Sequence, residues 1–118
     1  MYSKLIEKAE EARKLAYAPY SNFTVGAALL TKSGKIYTGC NIENAAFGPT
    51  VCAERVAIFK AVSEGKREFK RIAIFADTED YCMPCGTCRQ VMSEFSQDME
   101  VLCAKAGGRY VSYNLAQL

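Results

Sequence analysis

The stretch from Cys52 to Ala76 reads CAERVAIFKAVSEGKREFKRIAIFA, and its two halves decide the architecture. The first half predicts a helix over about 52–64, with Val56, Phe59 and Val62 on one face and Gly65 as its stop. The second half ends in Ile72-Ala73-Ile74-Phe75-Ala76, a short unbroken apolar run. That is the pattern of a central strand covered on both faces. Such a strand needs layers above and below it, so the fold class is α/β.

Working outward, each flank supplies a layer. Upstream, Leu5, Ala9, Ala12 and Ala16 fall at helical spacing between Lys and Glu, predicting a helix over about 3–17 that Pro19 ends. Phe23 to Thr31 reads as a strand, Lys32-Ser33-Gly34-Lys35 as a turn and Ile36 to Cys40 as the returning strand. Asn41 to Val51, rich in Asn, Gly and Pro, reads as a loop. Downstream, 77–84 reads as a loop and about 85–96 as a helix with Val91, Met92 and Phe95 inward. Val101 to Ala104 and Tyr110 to Tyr113 read as strands joined at Gly107-Gly108, with a final helical turn after them. The sum is a layered sandwich in which a mixed five-stranded sheet carries helices on its faces.

Composition narrows the function. A chain of 118 residues is the size of one domain, with little room for a deep private pocket, so a partner subunit is expected to supply part of any enclosed site. A net charge of +2 gives no reason to expect nucleic acid as a partner, and no apolar run has the length of a membrane span. The N-terminus lacks the basic-then-apolar layout of a signal peptide, so the reading is cytoplasmic. There are six cysteines and no histidine. Without a secretory signal, metal binding explains the cysteines better than disulfides do. The missing histidine excludes Ser-His and Cys-His nucleophile pairs, so any transition-metal site rests on thiolates and carboxylates.

Two helices are expected to begin at cysteines: Cys52-Ala53-Glu54-Arg55, and Cys85-Gly86-Thr87-Cys88-Arg89 after Pro84. Cysteines at i and i+3 of a first turn share one side and can share a metal. In a regular helix Cys52 and Glu54 would face nearly opposite ways. They can face one ion only if Cys52 precedes fully helical backbone. Helix N-termini favour thiolate over thiol, and Arg55 or Arg89 could donate to the sulfurs and offset their charge. Three protein ligands would leave a fourth tetrahedral position for water, with Glu54 as the carboxylate that moves its proton. A rival uses Cys82: Cys82-x-x-Cys85-x-x-Cys88 together with Cys52 would close a structural four-thiolate site. Met83, lying before Pro84, should be extended and carry Cys82 away. An iron–sulfur run would need a further cysteine soon after Cys88, which the sequence lacks. Cys40 and Cys103, in strand-like runs, read as core residues.

The pair Cys52-Ala53-Glu54 and Pro84-Cys85-Gly86-Thr87-Cys88 resembles the zinc deaminase signature. Tyr17-Ala18-Pro19-Tyr20-Ser21-Asn22-Phe23, Val25-Gly26-Ala27-Ala28 and Gly39-Cys40-Asn41-Ile42-Glu43-Asn44-Ala45 extend the likeness in order along nearly the whole chain. The chain resembles the small, homotetrameric, three-cysteine cytidine deaminases of pyrimidine salvage. The resemblance implies a three-layer α/β/α sandwich, one Zn²⁺ per subunit on Cys52, Cys85 and Cys88, and hydrolysis of cytidine or deoxycytidine to the uridine with loss of ammonia. It implies that Glu54 is the proton-transfer catalyst and that Asn41 and Glu43 hold the ribose hydroxyls. Phe23 would pack on the pyrimidine, the Ala53 N–H would bind its carbonyl oxygen, and Arg55 would support the thiolates.

The chain departs from the family pattern in two places. Phe47 stands where a tyrosine is common. The chain also ends at Leu115-Ala116-Gln117-Leu118, where the family usually runs on into a Leu-Leu-Pro segment and a later aromatic that closes over a neighbouring subunit's site. A single cytidine deaminase-like domain over 1–118 with a short or truncated C-terminal segment is therefore expected. Two alternatives stand beside this reading: a deaminase of another aminopyrimidine nucleoside, such as a nucleoside antibiotic, and a non-catalytic four-cysteine zinc module.

Overall fold

The computed structural model describes residues 2–46, 48–78, 81 and 83–118. In chain order it contains α1 (Tyr2–Arg13), β1 (Val25–Thr31), β2 (Ile36–Cys40), α2 (Ala53–Ser63), β3 (Phe69–Ala76), α3 (Gly86–Phe95), β4 (Glu100–Ala104) and β5 (Tyr110–Asn114), with a short 3₁₀ turn on either side of β5. The strands form one sheet in the order β2-β1-β3-β4-β5. Only β3 and β4 are parallel; the other neighbours are antiparallel. The mixed five-stranded sheet and its covering helices are those the sequence predicts.

Alternation along the strands splits the core in two, because successive side chains point to opposite faces. Val25, Ala27 and Leu29, with Ile72, Ile74, Ala76, Val101 and Cys103, pack with residues of α2 and α3. Ala28, Leu30, Ala73, Phe75, Leu102 and Ala104 pack with Leu5, Ile6 and Ala9 of α1. Every residue of β1 is buried, as expected of a strand sandwiched between helical layers.

Three expectations need correction. First, α1 ends at Arg13, well before Pro19. Beyond it the chain turns, and Tyr17 pairs with the segment after β2: its N–H donates to Asn41 O at 3.0 Å and its carbonyl accepts Glu43 N–H at 2.8 Å. Long-range backbone pairing ends the helix before the proline can. Second, α2 does not bury Val56, Phe59 and Val62. Its buried residues are Ala53, Glu54, Ala57, Ile58 and Ala61, while Phe59 is 48% exposed. The reason is close approach. A Cβ on Gly39 of β2 would stand 2.5 Å from Ala53 O and 2.6 Å from Ala57 N. Only a small-residue face can lie that near the sheet. Third, Cys40 ends the edge strand only partly buried, whereas Cys103 is fully buried in β4.

Candidate metal centre and active site

α2 runs into β3 and α3 leaves it. The N-termini of both helices therefore meet beyond the carboxyl end of β3, where open α/β sheets place their ligands. Each helix begins at a cysteine. Cys52 is the residue before the first turn of α2 and is extended (φ −74°, ψ 154°). Cys85 holds the same place before α3 (φ −71°, ψ 168°), and its sulfur accepts the Cys88 N–H at 3.4 Å. The extended backbone at Cys52 is the condition that lets Cys52 and Glu54 serve one centre.

The three sulfurs converge. Cys52 Sγ lies 3.8 Å from Cys85 Sγ, which lies 3.3 Å from Cys88 Sγ, and all three are within 4.8 Å of one another. Sulfurs sharing a tetrahedral zinc at the usual bond length stand about 3.8 Å apart. Both the donor type and the spacing therefore fit Zn²⁺. Cys82 and Phe47 lie outside the described residues, so among the described residues the cluster is three thiols.

Electrostatics favours charge at this point. The Cys52 thiol is pulled down to about 5 by a hydrogen bond from Cys88, with the Arg55 guanidinium and Cys85 adding to it. Cys88 is pushed up, because its proton is held on Cys52, because it is buried, and because the Glu54 carboxylate is near. Arg55 Nη2 donates to Cys52 Sγ at 3.5 Å, and the buried Arg55 Nε has no partner among the described residues. Arg89 instead donates from Nε to Pro84 O at 2.9 Å, which ties down the loop before α3. Of the two arginines the sequence offers, Arg55 is the one on a sulfur. Glu54 is 5% exposed, and burial pushes its carboxyl up, with the Cys52 charge adding to the effect. A carboxyl shifted upward is suited to taking up and returning protons nearer neutrality. Ala53, fully buried, is the first residue of α2, where the backbone N–H has no partner within the helix.

A backbone ladder leads from this centre to the other predicted residues. Ile42 and Val51 exchange N–H···O bonds of 3.0 and 2.9 Å, which sets Cys52 directly after the paired segment 41–43. The Asn41 amide is committed to holding the chain: its Oδ1 accepts Val25 N–H at 2.9 Å and its Nδ2 donates to Phe23 O at 2.8 Å. Glu43 Oε1 accepts the backbone N–H groups of Tyr20 and Ser21 at 3.0 and 3.2 Å. The Ser21 hydroxyl and these N–H groups hold the Glu43 carboxyl below the usual carboxylate range. Phe23 is 40% exposed, so part of its ring is open to solvent. Beside Glu43 lies an open hollow of about 380 Å³ lined by Tyr20, Ser21, Glu43, Asn44, Ala45 and Thr50. The sulfur cluster does not line it. Ser21 is the residue the sequence reading passed over, although a serine two positions before Phe23 is the usual signal for a hydroxyl that accepts the N–H two residues on.

The model of the family described as the cytidine and deoxycytidylate deaminase zinc-binding region matches residues 1–105. The chain is 61% identical over 92 residues to a cytidine deaminase of Sporosarcina psychrophila, a match covering 78% of this chain and 68% of that one. The fold superposes on a crystal structure of cytidine deaminase from Burkholderia pseudomallei with a TM-score of 0.95 at 46% identity, covering 99% of this chain and 94% of that one. A blasticidin-S deaminase of Bacillus cereus is 34% identical over 123 residues, covering 98% of this chain and 86% of that one.

Proposed function

The chain belongs to the family of cytidine and deoxycytidylate deaminases, and we infer from this that it is a zinc-dependent enzyme that hydrolyses cytidine and deoxycytidine to the corresponding uridine with release of ammonia. The observation that carries the reading is the convergence of three cysteine sulfurs at two helix N-termini beside a buried glutamate. Cys52, Cys85 and Cys88 would hold the ion. Bound zinc supplies Lewis acidity that makes water a nucleophile near neutral pH.

The chain's own residues do the rest. Glu54 takes one proton from the attacking water and gives it to ring N3, then takes that water's second proton from the hydroxyl now on C4 and gives it to the departing amine, so that water and the nucleoside leave as uridine and ammonia. The Ala53 N–H holds the base's carbonyl oxygen, and Phe23 lies against the ring. Glu43 accepts from a sugar hydroxyl. Asn41, with its Oδ1 and one N–H already engaged, offers the sugar its remaining N–H and lone pair. Arg55 draws charge from Cys52, and so keeps a centre of three thiolates from becoming too electron-rich to polarise water.

The chain works as a single deaminase domain and as a homo-oligomer, of which a tetramer is the form the family resemblance implies. Supporting this, the Phe59 ring of α2 is 48% exposed while the helix packs on the sheet through Ala53, Ala57 and Ala61. No helix among the described residues is long and apolar enough to cross a membrane. A cytoplasmic setting suits a site that needs reduced thiols.

Cytidine is favoured over a nucleoside antibiotic, since identity to the cytidine deaminase (61%) far exceeds identity to the blasticidin-S deaminase (34%). The residue roles are tested by pairing Glu54→Gln with Cys85→Ser. The first should keep stoichiometric zinc while turnover falls by about 10²–10⁴-fold. The second should lose zinc. A Glu54→Gln protein of near-normal turnover would remove Glu54 from the mechanism.

A further inference from the structure

The segment that carries Phe23 holds one hydroxyl with two partners. Ser21 Oγ donates to Glu43 Oε2 and accepts the Phe23 backbone N–H at 3.0 Å. Glu43 is held as well by the N–H groups of Tyr20 and Ser21 on its other oxygen. A glutamate side chain loses considerable rotamer freedom when it is fixed, and a binding group that is not fixed beforehand incurs that loss on binding. Here the fixing is done within the free chain. Oε1 is filled by two N–H groups, while Oε2 keeps acceptor capacity beyond the Ser21 hydroxyl. The hollow of about 380 Å³ opens beside these same residues.

We propose that Ser21 is a positioning residue for nucleoside binding: its hydroxyl locks the Glu43 carboxylate to the Phe23 backbone, so that the group gripping the sugar and the ring lying on the base are held in one fixed relation. This rests on the reading of Glu43 and Phe23 as nucleoside contacts. In this proposal Ser21 acts through Glu43 and Phe23, the two groups it joins. Its contribution is to ground-state binding, which moves KM and leaves kcat, because the proton transfers belong to Glu54.

The experiment compares the isosteric pair Ser21→Val and Ser21→Thr, with Glu43→Ala as reference, in zinc-loaded protein with cytidine as substrate. Val removes the hydroxyl and Thr keeps it. Ser21→Val should raise KM by about fivefold to tenfold with kcat within about twofold, and Ser21→Thr should return KM to within about threefold of the parent value. Zinc content and far-UV circular dichroism should be unchanged in both. In a Glu43→Ala background, Ser21→Val should add little, since the partner it positions is gone. If Glu43→Ala raises KM while Ser21→Val does not, the positioning role falls and the site reading stands. If Ser21→Val costs as much in the Glu43→Ala background as alone, Ser21 acts through something else and the proposal also falls. If Glu43→Ala leaves KM unchanged, the sugar-binding reading fails and takes the proposal with it.

Discussion

At the scale of the residue, the chemistry depends on where one helix starts. Cys52 and Glu54 are two apart, a spacing that a continuous helix would splay. The backbone at Cys52 is extended, so the helix begins one residue later. This was legible in the sequence, because a C-x-E pair serving one ion admits no other arrangement. From helix-start chemistry alone Arg55 was legible as one of two arginines, and the family resemblance singled it out. The choice depended on the loop before α3, where a main-chain carbonyl captures Arg89. From the contact between Arg55 Nη2 and Cys52 Sγ, Arg55→Gln should lower kcat by about tenfold to a hundredfold at full zinc occupancy, with Arg55→Lys intermediate. Steady-state kinetics with zinc content measured on the same samples decides it. An unchanged kcat would make the arginine a packing residue.

At the scale of the element, the position of α2 follows from what it can lie against. Periodicity marked Val56, Phe59 and Val62 as an apolar face, and the amino acids alone gave no reason to prefer the alanines. The reason lies in another element, at Gly39, where the absent side chain lets the backbone of α2 come close to β2. A steric fit between segments far apart in sequence is not written in either one. The same holds for α1, whose end is fixed by pairing of Tyr17 with residues 41 and 43 rather than by the local proline signal. Gly39→Ala would press a methyl against Ala53 O and Ala57 N, 2.5 and 2.6 Å away. It should destabilise the fold by about 1–3 kcal/mol and, by moving the N-terminus of α2, weaken zinc binding as well. Thermal denaturation and a competitive zinc titration measure the two effects. A stable variant with parental zinc affinity would mean that α2 is not held by this approach.

At the scale of the whole molecule, the alternating strands, the long connection after β2 and the paired helix starts were readable because hydrophobic period and cysteine placement are local signals. The exposure of Phe59 (48%) was not readable, since periodicity alone placed it on the apolar face of its helix. On the oligomeric reading, Phe59→Glu should lower the molar mass measured by light scattering on a sizing column, while a monomeric reading expects no change. The most direct test of the whole account is the assay of the zinc-loaded protein with cytidine, following uridine and ammonia together. The account expects the two products in equal amounts, lost when zinc is stripped and recovered when it is restored. Absence of both products from protein carrying one zinc per chain would contradict it.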